Sequence, residues 1–111
     1  MTREESVRRI ESYRDLAPNW DSYGAVRPPE ICIETALRLL DTMPADVPEP
    51  WPSPSSDSVL LTVSGPGFDA DVWALDDGSV LLNGTWRGQE LEVVAQGCWP
   101  ATPAAQENAD E

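Results

Sequence analysis

The sequence contains no histidine and no lysine, so all seven of its basic residues are arginines. Without histidine, the most common general base and the usual serine or cysteine triads are excluded. Without lysine, Schiff-base catalysis and a P-loop are excluded as well. The two cysteines, Cys32 and Cys98, cannot form an ordinary structural zinc site by themselves. These absences argue against an enzyme and predict neither a bound metal nor a cofactor.

Signals for membranes or export are also missing. No run of ~18 apolar residues is present, and the N-terminal stretch MTREESVRRIE lacks the apolar core of a secretory signal. We therefore expect a cytoplasmic protein. In a reducing cytosol, Cys32 and Cys98 are best interpreted as two buried free thiols, with a disulfide or a redox role as the alternative.

The charge is strongly negative and unevenly distributed. The formal net charge is −13; residues 1–40 carry seven acids and six arginines, whereas residues 41–111 carry thirteen acids and Arg87 alone. Such a surface repels nucleic acid and anionic membranes, and it attracts basic protein surfaces. We therefore expect a basic protein as the partner and no direct binding of nucleic acid or membrane. The plain alternative is an acidic domain whose charge serves solubility.

Two segments near the N-terminus have the apolar spacing of helices. The first covers about residues 3–16, and Thr2 with Glu5 forms a capping-box pattern at its start. The second covers about residues 29–43, begins at a proline pair and ends before Pro44. Residues 44–57 contain five prolines, which predicts an extended connector.

After the connector, apolar residues alternate with polar ones, which is typical of strands. Four strands are expected near residues 58–64, 68–75, 79–86 and 90–96, followed by a disordered acidic tail over residues 100–111. The fold class is therefore α+β. Residues 1–99 are predicted to form a single domain, with two N-terminal helices packed on one face of a four-stranded antiparallel meander.

The turns determine which residues of the sheet face the helices. Asp77-Gly78, taken as a two-residue turn, pairs Leu75 with Val80, and Arg87-Gly88 pairs Leu82 with Val93. If Gly65-Pro66-Gly67 is a three-residue loop, the expected core face consists of Val59, Leu61, Val63, Trp73, Leu75, Val80, Leu82, Trp86, Leu91 and Val93. Asp69 and Asp71 fall on this side near the sheet's end. The opposite face is expected to carry Phe68, Ala70, Val72, Ala74, Leu81, Asn83, Thr85, Glu90, Glu92 and Val94.

The stretch Asn19-Trp20-Asp21-Ser22-Tyr23-Gly24-Ala25 between the helices is dense in residues capable of chemistry. We interpret it as a structural motif in which Asn19 or Asp21 bonds nearby backbone and Gly24 takes a positive φ. Trp20 and Tyr23 are expected to wedge between helices and sheet. The alternative is a ligand or partner patch built from Trp20, Asp21 and Tyr23.

This stretch, followed by a proline-rich connector and the hairpin sequence DDGSVLL, resembles a family of small bacterial and phage proteins with an NWDxYGA element between two helices. The resemblance covers roughly residues 10–95. It implies the helix–helix–sheet arrangement and an origin in a phage or mobile element, with a bacterial host cell as the location. It implies no activity.

Candidate binding residues come from the acids on the strands and from aromatic side chains near them. Carboxylates spaced along strands can imitate nucleic-acid phosphates, and aromatic residues are frequent binding anchors. We expect a partner-binding set of Asp69, Asp71, Asp76, Asp77, Glu90, Glu92, Trp51 and Phe68. The preferred hypothesis is an inhibitor, of the anti-defence or anti-CRISPR-like kind, that acts as a DNA mimic. The alternative is an immunity- or antitoxin-like partner, or a subunit of a complex, that binds through the sheet edge or the mixed face.

Overall fold

Two helices begin the chain in a computed structural model that describes residues 2–100. Helix α1 spans Arg3–Ser12 and continues as a 3₁₀ turn, Tyr13–Asp15; helix α2 spans Glu30–Asp41. At the start of α1, the hydroxyl of Thr2 accepts a hydrogen bond from the Glu5 N–H, while the Glu5 carboxylate accepts one from the Thr2 N–H, as the capping box predicts. Among the residues described, no helix has the length and apolar character needed to cross a bilayer. Except for Pro100, the predicted disordered tail lies outside these residues.

An antiparallel sheet follows, in the order of its strands along the chain. The strands are β1 (Trp51–Pro54), β2 (Ser58–Gly65), β3 (Phe68–Leu75), β4 (Ser79–Trp86) and β5 (Gln89–Gln96). The α+β class, with two helices and an antiparallel sheet, is confirmed. The predicted number of strands is wrong, because the sheet has five rather than four.

The additional strand, β1, lies within the proline-rich connector. Its residues pair with β2, with Trp51 opposite Thr62 and Ser53 opposite Leu60. Pro52 and Pro54 alternate with these residues, so the positions that lack an N–H both lie on the outward side of an edge strand. This is where a sheet tolerates proline. The high proline content predicted an unpaired connector here, whereas the backbone of β1 is paired with β2.

The turn between β3 and β4 is longer than predicted. It comprises Asp76, Asp77 and Gly78, and the Gly78 N–H donates to the carbonyl of Leu75 over 3.0 Å. Gly78 has a positive φ of 85°, whereas Asp77 does not, so the two-residue type I′ turn is excluded. Ala74, rather than Leu75, is therefore opposite Val80.

This shift of one residue reverses the two faces of β3. Phe68, Ala70, Val72 and Ala74 are buried beneath the helices, and the opposite face carries Asp69, Asp71, Trp73 and Leu75. The predicted core positions of Trp73 and Leu75, and the predicted core side of Asp69 and Asp71, are therefore wrong. A change of one residue in register moves every side chain to the other face.

The loop between β2 and β3 also differs from expectation, and the two errors cancel. Gly65 pairs with Phe68, so the loop is Pro66-Gly67 rather than three residues. Gly67 has a φ of 81°, as a proline–glycine turn requires. Val59, Leu61 and Val63 consequently face the core as predicted. The β4–β5 pairs Leu82–Val93 and Gly84–Leu91 are also confirmed.

One hydrophobic core joins the helices to the sheet. Its buried apolar residues are Ile10, Tyr13, Cys32, Ile33, Ala36, Leu39, Leu40, Val47, Val59, Leu61, Val63, Phe68, Ala70, Val72, Ala74, Val80, Leu82 and Trp86. Trp99 closes one side of this core after β5. Its ring lies 5.6 Å from that of Trp86, and its indole N–H donates to the Leu39 carbonyl over 2.9 Å. The residues after β5 are therefore attached to α2.

The two cysteines have different surroundings. Both are free thiols, but Cys32 is buried and Cys98 is exposed, so the expectation of two buried thiols is wrong for Cys98. Burial, with smaller contributions from the charges of Asp76, Asp57 and Asp77, raises the pKa of Cys32 from 9.0 to about 11. The neutral thiol is thus the form that the folded protein holds.

We predict a loss of stability at high pH from this thiol. The unfolded chain releases the Cys32 proton near pH 9, whereas the folded chain keeps it until about pH 11, so the free energy of unfolding falls as pH rises through that window. Urea unfolding at about pH 7.5 and about pH 10.5 measures the fall. Burial also raises the pKa of Tyr13, which adds a decrease in the same direction. Cys32→Ala should therefore show a smaller fall than the wild type, and an equal fall in both would contradict the assignment.

Gly84 allows β3 and β4 to approach closely. It lies between Ala70 and Leu91 in the ladder, with a φ of 133°. A Cβ atom there would lie 2.5 Å from the carbonyl oxygen of Asp69 and 2.7 Å from the Cα of Ala70. Both neighbours are backbone atoms, which cannot move without disturbing the ladder.

We predict that Gly84→Ala lowers the free energy of unfolding by about 3 kcal/mol, because a backbone clash adds to the strain of the positive φ. Gly88→Ala is the matched control, since Gly88 has a φ of 82° but no atom near its missing Cβ. That variant should lose only about 1 kcal/mol. Urea unfolding of both variants measures the difference, and equal losses would contradict the close approach.

Candidate functional site

The face of the sheet that points away from the helices is the candidate site, and we call it the open face. It alternates along each strand with the buried positions and is not covered by any described element. Its exposed and half-buried side chains are Trp51, Ser53, Leu60, Thr62, Ser64, Asp69, Asp71, Trp73, Leu75, Leu81, Asn83, Thr85, Glu90, Glu92, Val94 and Gln96. The register of β3 places Asp69, Asp71 and Trp73 on the open face, which makes this face both acidic and partly aromatic.

Four carboxylates occupy one half of the open face. Asp71 and Glu92 share a row across the sheet, and Asp69 and Glu90 share the next row, with β4 between the two members of each row. From the spacing of strands and residues, the carboxylates lie ~10 Å apart across β4 and ~7 Å apart along each strand. They therefore form the corners of a rectangle, which we call the acidic rectangle.

No positive charge offsets the acidic rectangle from within the sheet. The five strands contain no arginine. The nearest one along the chain, Arg87, makes a two-pronged ion pair with Asp46, with N–O distances of 2.7 and 2.9 Å. Thr85 donates its hydroxyl to the Glu90 carboxylate over 3.0 Å. Two further ion pairs lie on the helical side, where Arg3 pairs with Glu49 and Arg14 pairs with Glu30.

An apolar row crosses the other half of the open face. It runs through Leu60, Trp73, Leu81 and Val94, which are consecutive partners on β2, β3, β4 and β5. The first three are half-buried, and Val94 is 63% exposed. An apolar stripe beside a charged area is typical of protein-binding surfaces. Sequence reasoning missed Trp73 because it assigned this side chain to the core.

The structure separates the six predicted acids into two groups. Asp69, Asp71, Glu90 and Glu92 lie together, whereas Asp76 and Asp77 lie in the β3–β4 turn, beyond the apolar row. Asp77 accepts hydrogen bonds from the backbone and hydroxyl of Ser79, which lower its pKa. Asp77 thus stabilises the turn that sets the register of β3.

Of the two aromatic residues predicted as binding anchors, one is exposed and the other is buried. Trp51 is 51% exposed on β1, and the guanidinium of Arg9 lies 4.8 Å from the centre of its ring. Phe68 is only 8% exposed and packs edge-on against Trp86, with the ring centres 5.0 Å apart. A partner could not reach Phe68 without opening the core, so its expected exposure is wrong.

The NWDSYGA loop is held by its own polar groups. The backbone N–H of Asn19 donates to the carbonyl of Ala25 over 2.7 Å, which closes the loop. One oxygen of Asp21 accepts from the backbone of Tyr23 and Ala25, and the Asn19 side chain accepts from the backbone of Gly24. Gly24 has the expected positive φ, 87°. The predicted side-chain-to-backbone bonds are confirmed.

The aromatic residues of this loop do not both pack as expected. Trp20 is half-buried and donates its indole N–H to the carbonyl of Val26 over 2.7 Å. Tyr23 is 91% exposed, so the predicted wedge between helices and sheet is wrong for it. Asp21 and Asn19 turn the backbone so tightly that Tyr23 projects from the tip of the loop. Its side chain contributes nothing to the core.

We predict that Asp21→Ala lowers the free energy of unfolding by about 1–2 kcal/mol, because two backbone N–H groups lose their acceptor. Tyr23→Ala should change it by less than about 0.5 kcal/mol, because the ring is exposed. Urea unfolding of the two variants tests this contrast. A large loss for Tyr23→Ala would show that the ring packs on the protein in solution.

Chemistry elsewhere in the structure is sparse. Within residues 2–100, no group of three or more acids or cysteines is placed to hold a metal ion. A groove of about 290 Å³ between α1 and α2 is lined by Arg3, Val7, Glu11, Leu37, Leu40 and Asp41. Arg3 is already engaged there by Glu49 and the Leu40 carbonyl. The groove therefore offers a ligand no unengaged cation and no nucleophilic thiol or hydroxyl among its lining side chains.

Comparisons with protein-family models, with curated proteins and with solved structures found no match to this chain.

Proposed function

We propose that this protein is a non-enzymatic acidic binding module that occupies the basic, nucleic-acid-binding surface of another protein. The acidic rectangle carries this proposal, since the register of β3 and β5 brings Asp69, Asp71, Glu90 and Glu92 onto one uncovered face. Regularly spaced carboxylates can replace phosphates in a basic groove and release its counterions. The net charge of −13 would speed association through long-range attraction.

The resemblance of the NWDSYGA stretch to small phage and bacterial proteins supports a biological setting for this activity. In that setting, the protein is carried by a phage or mobile element and acts in the bacterial cytoplasm. Its partner is a host defence or DNA-processing protein, which the module inhibits as a nucleic-acid mimic. No cofactor is required, because the whole effect comes from occupying a surface.

We predict that proteins captured by the immobilised module from bacterial lysate are basic nucleic-acid-binding proteins. They should be released by moderate salt, because salt screens the attraction between the acidic module and its basic partner. They should also be released by added duplex DNA or RNA, because nucleic acid competes with the module for the same basic groove. The test variant carries Asp69→Asn, Asp71→Asn, Glu90→Gln and Glu92→Gln. It should bind the captured partner at least about tenfold more weakly at low salt, with a shallower salt dependence.

A control with the same net charge separates the open face from bulk charge. Glu4→Gln, Glu11→Gln, Asp15→Asn and Glu34→Gln change four exposed acids of the helical side. This control should retain nearly full binding. Equal weakening of both variants would mean that overall charge, rather than the acidic rectangle, attracts the partner. Failure to capture any basic protein would contradict the proposal.

The apolar row favours a second candidate function, an immunity- or antitoxin-like partner or a subunit of a larger complex. In this case Leu60, Trp73, Leu81 and Val94 would be buried by the partner, and the acids would form a polar rim. Such a complex tolerates salt and ignores competing nucleic acid. Trp73→Ser should then weaken binding far more than the removal of the four carboxylates, whereas the mimic predicts the reverse order.

A further inference from the structure

The two edges of the sheet differ in their ability to accept another strand. At β1, Pro52 and Pro54 have no N–H to offer, and Arg9 of α1 donates to the Pro52 carbonyl over 3.2 Å. At β5, eight residues run without proline, glycine or bulge. Sheets usually protect their edges with prolines, bulges or charged side chains. The β5 edge has neither proline nor bulge, and its charged residues are Glu90 and Glu92.

The free hydrogen-bonding groups of β5 can be assigned to particular residues. Arg87 and Gly88 both have positive φ, which makes the β4–β5 turn a two-residue type I′ turn closed by Trp86 and Gln89. Past the end of β5, the Gly97 N–H donates to the Gly78 carbonyl, so odd-numbered residues face β4. Because direction alternates along a strand, Glu90, Glu92 and Val94 turn their N–H and C=O groups outward.

Within residues 2–100, no group outside the sheet bonds to those outward backbone atoms. The same three residues are exposed, and their side chains lie on the open face. Between them, Leu91 and Val93 lie on the helical side of the sheet and remain half-exposed. The edge therefore combines unpaired donors and acceptors with two carboxylates on one face and two apolar side chains on the other.

We infer that the β5 edge binds an extended basic segment of the partner protein as a sixth, antiparallel strand. Strand addition satisfies the outward groups of Glu90, Glu92 and Val94 through main-chain hydrogen bonds. It also brings the added side chains to within ~5 Å of the two glutamates, where arginine or lysine is stabilising and an acid is not. The recognised segment alternates basic residues beside the glutamates with apolar residues beside Leu91 and Val93.

Charge repulsion makes a second copy of this chain a poorer occupant of the β5 edge than a basic segment. Pairing of two β5 strands would place four glutamates along one seam, between chains that each carry a net charge of −13. The inference deepens the proposed function and rests on it for the premise that the partner is basic. It adds that part of this basic partner is an extended segment that hydrogen-bonds to β5, in addition to charges that face the acidic rectangle.

The test uses the full chain and a seven-residue peptide of alternating lysine and valine, blocked at both ends. Peptide binding should slow amide hydrogen exchange at Glu90, Glu92 and Val94 by at least about tenfold, with little change elsewhere in the sheet. A matched peptide with N-methylated lysines keeps the charge but loses the donors that face β5. It should bind at least about tenfold more weakly, and equal affinity would overturn the inference.

Protein variants give an independent result. Val94→Pro removes an outward N–H and leaves the β4 ladder intact, so it should fold and lose at least about tenfold in peptide affinity. Val94→Thr keeps the N–H and should bind within about twofold of the wild type. Glu90→Gln and Glu92→Gln should each weaken binding by about two- to fivefold at low salt. If Val94→Pro fails to fold, the N-methylated peptide still tests the inference on the unchanged protein.

Other occupants of the edge give distinct outcomes, each of which overturns the inference. Protection of the three amides in the free protein that increases with protein concentration would identify a second copy. Protection in the free protein that disappears when residues 101–111 are removed would identify the chain's own C-terminal segment. Peptide-induced changes confined to Leu60, Trp73 and Leu81 would identify docking on the open face.

The proposed function and the edge inference can fail separately. Asp69→Asn with Asp71→Asn lies away from β5 and should leave the peptide-induced protection unchanged, while it weakens capture of nucleic-acid-binding proteins. If the peptide protects the β5 amides but nucleic acid does not compete with the partner, the nucleic-acid-mimic proposal is contradicted and the edge inference stands. Competition by nucleic acid without protection at Glu90, Glu92 and Val94 would do the opposite.

Discussion

The turn Asp76-Asp77-Gly78 sets the constraint on which the rest of the sheet depends. Its three residues, held by the hydrogen bonds from Ser79 to Asp77, place Ala74 opposite Val80. That pairing directs the small and apolar residues of β3 into the core and the two aspartates outward. Because the side chains of a strand alternate, a loop shorter by one residue would bury both carboxylates and expose Phe68. The turn therefore determines the core packing and the open face together.

Local sequence patterns predicted most of the helices and strands. The register between strands could not be predicted in the same way, because it depends on how whole strands pack against the core. The capping box at Thr2, the helical periodicities and the Arg87-Gly88 turn each depend on neighbouring residues and were correct. Asp77-Gly78 fits either a two- or a three-residue turn, and the choice depends on how the whole of β3 packs. Pro52 and Pro54 hid β1 because edge strands tolerate prolines that central strands do not. The acids of the candidate site were predicted individually, but their common face was not.

Charge separation between the two sides of the molecule follows from the same architecture. The arginines belong to the helices and their flanking turns, to the segment just before α2 and to one hairpin turn, and most of them pair with nearby acids or bond to carbonyl groups. The strands contain only acids among their charged residues, and those acids share a face. The protein therefore has a field of one sign directed outward from the sheet. On the helical side, residues 1–40 carry seven acids and six arginines, so the charges there nearly balance.

The unequal edges of the sheet also limit the assemblies that the protein can form. A protein with two open edges can pass pairing from one molecule to the next and grow into a fibre. Here the prolines of β1 and the contact from Arg9 close one end. A strand that joins β5 is therefore expected to end the growth of the sheet, since Pro52 and Pro54 at the far edge have no N–H to donate to a third molecule. The protein keeps an exposed edge available for recognition without becoming a template for its own polymerisation.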